Sequence, residues 1–383
     1  MNTISCLILV ATISLTNAPH LSAQTSAFVT TLGKDTLSVE RYTRDGNRIA
    51  GDWVTFYGGI TVHHYDMTLR PDGNVEHMHL TLRRRSGKVE EDVDLAFRAD
   101  SITAVVAGEP TVSFAAKSGT FPTLGGCVAM LEAITTRLRQ QNSDSATVTV
   151  FPATGPFRAG ATRIQFIGTD SARMGPPVAA TMLAVGRNGR VEGISRLATT
   201  TRSLTRRVEP FDLAQVIQRF PDIPAEAPIL GFLGMSPRDT ARATFGSTRI
   251  LVDYGRPSLR GREVFSHGVL GDTLWRTGAN AATQFTTTTD LLVGGKRIAA
   301  GTYTLWTRVS PDNASYQLVF NSQVGQWGTE HHVDRDVMSI PLAVRRVGSP
   351  TEQFSITMEP AATGAVLRFA WGRLELSTLI ATE

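Results

Sequence analysis

Ile60-Thr61-Val62-His63-His64-Tyr65-Asp66-Met67, then Pro71-Asp72-Gly73-Asn74, then Val75-Glu76-His77-Met78-His79-Leu80-Thr81-Leu82, is the stretch on which the fold reading turns. Its two alternating runs carry the period of a strand, and the Asp-Gly pair between them supplies the tight reversal that an antiparallel hairpin needs. The same rhythm recurs at 36–42, 93–97, 147–151, 162–166, 179–185 and 191–197, with Arg44-Asp45-Gly46-Asn47 as another turn. One segment breaks it. Residues 127–140 place Val128, Leu131, Ile134 and Leu138 at helical spacing, so one amphipathic helix is expected there.

Residues 24–207 therefore read as an α+β unit, a curved antiparallel sheet folded about a single helix. By analogy of fold alone, such an interior could carry a lipid or another apolar ligand. Residues 208–241 differ, being interrupted by Pro210, Pro221, Pro224, Pro228 and Pro237 around a short amphipathic segment at 212–220 that Asp212 can cap. This is the expected connection. Residues 242–383 return to strands, at 248–254, 283–289, 290–293, 302–309, 316–321, 337–347, 354–359 and 366–376. Turns such as Gly294-Gly295-Lys296 and Ser310-Pro311-Asp312-Asn313 separate them, which is the pattern of an antiparallel sandwich or jelly roll. The chain as a whole is expected to be mainly β.

With 383 residues, 42% of them hydrophobic, the chain is long enough for two domains that each bury a core. The net charge of +4 comes from scattered arginines, so no dense basic patch follows a phosphate backbone, and nucleic acid is not an expected partner. Residues 1–23 stand apart. An apolar run at 4–15 is too short to span a bilayer and ends in Leu21-Ser22-Ala23, so a secretory signal cleaved after Ala23 is expected, with a periplasmic or secreted product. No later run is long enough for a transmembrane segment. Beyond that signal Cys127 is the one cysteine, which excludes an internal disulfide. At a helix start its thiol pKa could be lowered by the helix dipole, giving a nucleophile, or Cys127 could be a small buried hydrophobe; the second reading is preferred.

In the last part of the chain the motifs are specific. Val252-Asp253-Tyr254-Gly255-Arg256-Pro257-Ser258, Arg260-Gly261-Arg262, Trp275-Arg276-Thr277-Gly278-Ala279-Asn280-Ala281-Ala282-Thr283, Ala300-Gly301-Thr302-Tyr303-Thr304-Leu305-Trp306 and Gln326-Trp327-Gly328 occur in that order. This succession resembles the bacterial family called domain of unknown function 2911, with residues 265–272 standing where the family has a shorter loop. The resemblance implies a β-rich domain found in exported bacterial proteins, and no assigned activity.

Read as chemistry, Arg256, Arg260, Arg262 and Arg276 are planar donor forks for carboxylate or phosphate, and Trp275, Trp306 and Trp327 are flat faces for a sugar ring or a cation. With Asp253, Tyr254 and Asn280 they form the candidate site for a small anionic or glycan-like ligand. The structural alternative has Arg276 in a salt bridge to Asp253, Trp275 and Trp371 as core plugs, and Asn280 tying loop backbone. His77 and His79 share a strand face with Asp66 or its neighbours opposite, so zinc is the alternative there to the expected lack of a cofactor, and the histidines and carboxylates of 330–336 could likewise take a metal or do general acid/base work. Glu330-His331-His332-Val333-Asp334-Arg335-Asp336 is a second polar cluster in an expected loop. Nucleophile-elbow, H-E-x-x-H, Walker A and dinucleotide motifs are missing. A ligand-binding or interaction protein is therefore the leading expectation, ahead of a metal-assisted hydrolase acting on an envelope polymer or ester, and of a structural envelope protein. Oligomeric state is not legible.

Overall fold

The computed structural model describes residues 23–57, 59–175, 180–196, 202–220, 235–263 and 274–382. The leader (except Ala23), much of the proline-rich connection and the 265–272 loop lie outside the described residues. The N-terminal chain begins with eight strands: β1 (Gln24–Leu32), β2 (Asp35–Asp45), β3 (Arg48–Thr55), β4 (Thr61–Leu69), β5 (Val75–Arg84), β6 (Val89–Phe97), β7 (Ser101–Val106) and β8 (Val112–Ala115). After β9 (Phe121–Thr123) and helix α1 (Val128–Gln140) come β10 (Ser145–Pro152), β11 (Gly160–Ile167), β12 (Ser171–Met174), β13 (Thr181–Val185), β14 (Val191–Ser195) and β15 (Ser203–Val208).

These fifteen strands form one sheet, in the order β8 down to β1, then β15 down to β9. All neighbours are antiparallel except β9 and β10. The sheet curls, since β9 reaches β5 and Phe114 of β8 meets Phe151 of β10 with ring centroids 5.2 Å apart. Helix α1 lies in the trough. Val128, Met130, Leu131, Ile134 and Leu138 are buried against Tyr65, Met78, Leu95 and Phe121 in one continuous core. That core occupies the interior which fold analogy offers to an apolar ligand.

A carboxylate anchors the helix. Glu40 of β2, buried, accepts from the backbone N–H of Val128 at 2.5 Å and of Ala129 at 3.0 Å, from the Cys127 thiol at 3.0 Å and from the Tyr65 hydroxyl at 2.6 Å. It thus takes up donors that every helix start leaves open and suits the positive end of the dipole. Burial pushes the Cys127 thiol pKa well up, and the adjacent Glu40 carboxylate pushes it further. This corrects the nucleophile reading, because desolvation and a neighbouring acid outweigh the dipole.

Helix α2 (Leu213–Gln218) is capped by Asp212, whose Oδ1 accepts from Ala214 N at 2.9 Å. Its apolar side chains dock on Val39, Val54 and Ile60 at the back of the sheet, with Phe220 stacked on Phe56.

The C-terminal strands are β16 (Arg238–Phe245), β17 (Thr248–Gly255), β18 (Leu274–Trp275), β19 (Thr283–Thr287), β20 (Leu291–Val293), β21 (Lys296–Ile298), β22 (Gly301–Val309), β23 (Tyr316–Asn321), β24 (Asp336–Pro341), β25 (Ala343–Ala361) and β26 (Gly364–Ala381). Seven form a sheet ordered β16-β17-β19-β22-β23-β24, with β18 also on β22, and four form a second sheet ordered β21-β20-β26-β25. Phe285, Leu305 and Phe320 of the first meet Phe354, Leu367 and Phe369 of the second in one core, so the region is an antiparallel sandwich. The molecule is mainly β, as the alternating pattern predicts. The two regions touch where the Lys34 N–H donates to the Arg260 carbonyl at 3.2 Å and the Arg260 guanidinium meets Asp35 at 2.7 Å.

Candidate functional site

Strand β18 decides where Arg276 goes. Trp275 pairs with Thr307 of β22 and turns inward, stacking on Trp371 at 5.5 Å and meeting Phe354 edge-on at 5.0 Å, while its indole N–H donates to Gly278 O at 2.9 Å. Alternation then sends the next side chain to the other face. The turn that follows is braced. Thr277 and Asn280 are left-handed, the Thr283 hydroxyl donates to Thr277 O at 2.8 Å, and Asn280 Nδ2 reaches Ser236 O at 3.4 Å. Gly278 is required here, because a Cβ would lie 2.8 Å from the Thr283 hydroxyl and 3.1 Å from Gly255 O.

Across this turn lies the segment 323–328, held by Ala282 N–H to Gln326 O at 3.2 Å and Gly328 N–H to Asn280 O at 3.0 Å. The stem of Arg276 runs against Gly328 so closely that a Cβ there would fall 1.7 Å from Arg276 Cδ. Arg276 Nε is buried with no hydrogen-bond partner. Among the described residues no carboxylate or carbonyl engages this guanidinium, and burial alone lowers its pKa. Gln326, also buried, gives its Nε2 to the Thr304 hydroxyl at 3.0 Å and leaves Oε1 without a partner.

The other arginines are occupied. Arg256 donates to Asp239 and to Ser355 Oγ, both at 2.9 Å, and to Phe354 O at 3.1 Å. Arg260 is held by Asp35. Arg262 donates to Leu259 O at 2.8 Å and Ser258 O at 2.6 Å, and burial first, with Arg260 nearby, lowers its pKa to about 10. Asp253 pairs with Arg238, at 3.0 Å and 2.9 Å, and so is not the counter-charge of Arg276. Tyr254 is a core residue whose hydroxyl accepts from Ile356 N–H at 3.0 Å. Of the ten candidates, the structure brings together Arg276, Asn280 and Trp327.

The tryptophans need correction as open faces. Trp275 is a core plug and Trp306 is 1% exposed, covered edge-on by His331 at 4.8 Å, whereas Trp327 is 43% exposed. A loop folded over the outer face of β22 explains Trp306. His331 is fixed within it, its Nε2 at 2.8 Å from Asp336 Oδ1, which also accepts from Asn321 Nδ2 at 2.8 Å. His332 lines a neighbouring cavity with Gln323, Asp334 and Arg335. The sequence singles out Trp327 but passes over its neighbours Gln326 and Gly328. Their only signal is membership in the same motif.

His77 and His79 do share a face, and Asp66 does stand opposite His79. Arg48 claims Asp66, however, through Nε at 2.9 Å and 3.0 Å. His77 Nε2 lies 2.7 Å from Asp94, and His79 Nε2 lies 2.7 Å from Asp92. Each imidazole thus spends a nitrogen on its own carboxylate, and among the described residues no three His, Cys, Asp or Glu converge to hold a metal. The zinc alternative lacks a third ligand here.

Residues 236–380 match the family described as protein of unknown function (DUF2911). No curated protein matches the chain. Among solved structures, the chain is similar to a DUF1089 family protein from Pseudomonas aeruginosa, at 12% identity and a TM-score of 0.32, over 48% of this chain and 95% of that one. It is also similar to a β-barrel-like protein of domain of unknown function DUF1849 from Brucella abortus, at 11% identity and a TM-score of 0.34, over 49% of this chain and 97% of that one. No helix among the described residues is long and apolar enough to cross a membrane.

Proposed function

We propose that this is an exported, two-domain ligand-binding protein whose C-terminal sandwich holds the anionic group of a small molecule on the Arg276 guanidinium. One observation carries the reading: a half-buried cation beside Asn280 and Gly328, its Nε sealed in without a partner and its guanidinium engaged by no internal acceptor among the described residues. Burying part of a cation without a partner carries a desolvation cost, which a guest carboxylate or phosphate would offset through a charge-assisted, two-point contact. Export rests on the apolar run at 4–15 and the exit Leu21-Ser22-Ala23.

Thermal denaturation with acetate or inorganic phosphate tests it. A saturable rise in Tm is expected, with no rise in Arg276→Met. An equal rise in both proteins, or none in either, overturns the reading.

A further inference from the structure

Independently of the Arg276 reading, we infer that a small zwitterion, a free α-amino acid, binds in the cavity of about 280 Å³ that Gln323, His332, Asp334 and Arg335 line. The walls of this cavity are two stretches of the loop between β23 and β24, and the fully buried amide of Asn321 ties them together. Its Nδ2 donates to the His332 carbonyl and to Asp336 Oδ1, each at 2.8 Å, while its Oδ1 accepts from the Gln323 N–H at 2.9 Å. Ser322 adds its N–H at 2.9 Å and its hydroxyl at 3.2 Å, both to the Arg335 carbonyl. The Arg335 N–H in turn donates to the His332 carbonyl at 3.0 Å. Backbone on both sides is thus set by the fold.

The side chains are left with capacity to spare. Among the described residues the one ion pair of Asp334 and of Arg335 is with each other, at 3.9 Å, and with side chains 76% and 65% exposed so long a contact occupies neither. No bond holds the Gln323 amide either. Its Oε1 has no partner, and a half-turn about the last torsion exchanges it with Nε2, so this group can accept or donate as a guest requires.

One carboxylate and one guanidinium on the same small wall select the guest by charge. A simple anion would answer Arg335 and face Asp334 with like charge, and a simple cation would do the reverse. A molecule with one ammonium and one carboxylate answers both. Its ammonium brings three donors, for Asp334 and the Gln323 amide oxygen, and its carboxylate matches the planar fork of Arg335. Size completes the selection: sites for drug-sized ligands run from about 300 Å³ upward, so this one suits a single small amino acid better than a peptide.

Calorimetric titration with alanine, alaninamide and propionate, run on Arg276→Met so that the other cation is out of play, provides the test. Alanine is expected to bind with a Kd on the order of millimolar, and about tenfold more tightly than alaninamide or propionate, each of which lacks one of the two charges. In the otherwise unaltered protein, Asp334→Asn and Arg335→Gln should each weaken alanine about tenfold, and both side chains are exposed enough that neither change threatens the fold. Equal affinities for the three compounds, or alanine binding that survives both changes, overturn the inference and leave the Arg276 reading standing. Alanine binding that disappears in Arg276→Met overturns it as well, by placing the guest on the other cation.

Discussion

Glu40, buried in the N-terminal sheet, and Arg276, half-buried in the C-terminal sandwich, are both ionisable groups with restricted access to water, yet their surroundings are opposite. Glu40 receives two backbone N–H groups, a thiol and a hydroxyl; burial still raises its pKa, so desolvation exceeds what those four donors give back. Arg207 nearby follows the same rule, meeting Glu132, the Ser26 hydroxyl at 2.6 Å and the Val191 carbonyl at 2.6 Å. Arg276 has none of this. A buried group surrounded by its own chain's partners fixes structure, whereas one left unanswered stores a cost that an outside molecule can relieve.

The contrast breaks most visibly at Glu40. Glu40→Ala strands four donors and is expected to cost about 4 kcal/mol in urea denaturation, with Glu40→Gln losing less because an acceptor remains. A loss under about 1 kcal/mol would remove the distinction.

His63 sharpens the same contrast through pH. Burial lowers its pKa from 6.5 to about 4, so the unfolded chain takes up a proton first as pH falls. Stability held above pH 6.5 is therefore expected to decline toward pH 4 by up to about 3 kcal/mol. His63→Gln should flatten that slope in denaturation curves recorded across the interval.

Gly328→Ala comes next. The new methyl would strike Arg276 Cδ and the Asn280 carbonyl, so a loss of about 1–3 kcal/mol and of the phosphate-dependent Tm rise is expected. Arg276→Met should move stability by about 1 kcal/mol at most, upward if at all, because it deletes a half-buried charge that no internal acceptor engages. A large loss there would mean that the guanidinium is structural after all. Smallest is Arg260→Ala, which removes a partly exposed pair with Asp35 and should cost below about 1 kcal/mol by the same measurement.

Local pattern carried much of the fold. The hairpin read from Asp72-Gly73 is β4 and β5, and the helix read over 127–140 is α1. What alternation could not reveal is what lies far away in the chain. Glu40 looks like one more polar position in a strand, and its helix partners come 88 residues later. Trp306 alternates like a groove residue, but a loop that begins after β23 seals it. The candidate site was legible at Arg276 and Asn280, which share a turn with Trp275. It was illegible at Gln326 and Gly328, which gain meaning only once Ala281 and Trp327 are bridged. The arginines misled for a related reason. Charge is visible in a sequence, but the acceptor already holding it is not.

Strand β1 has β2 on one side and β15 on the other, with Ala27 facing Val208. The middle of the great sheet is thus closed by residues 181 positions apart, a loop whose entropy must be met before that contact returns anything. Until residue 208 has been delivered, β1 presents a bare row of amides and carbonyls to any extended chain nearby. Strand β1, made well before β15, is thus among the last of the described strands to be protected, so the protein is expected to depend on being shielded from its own copies while it folds.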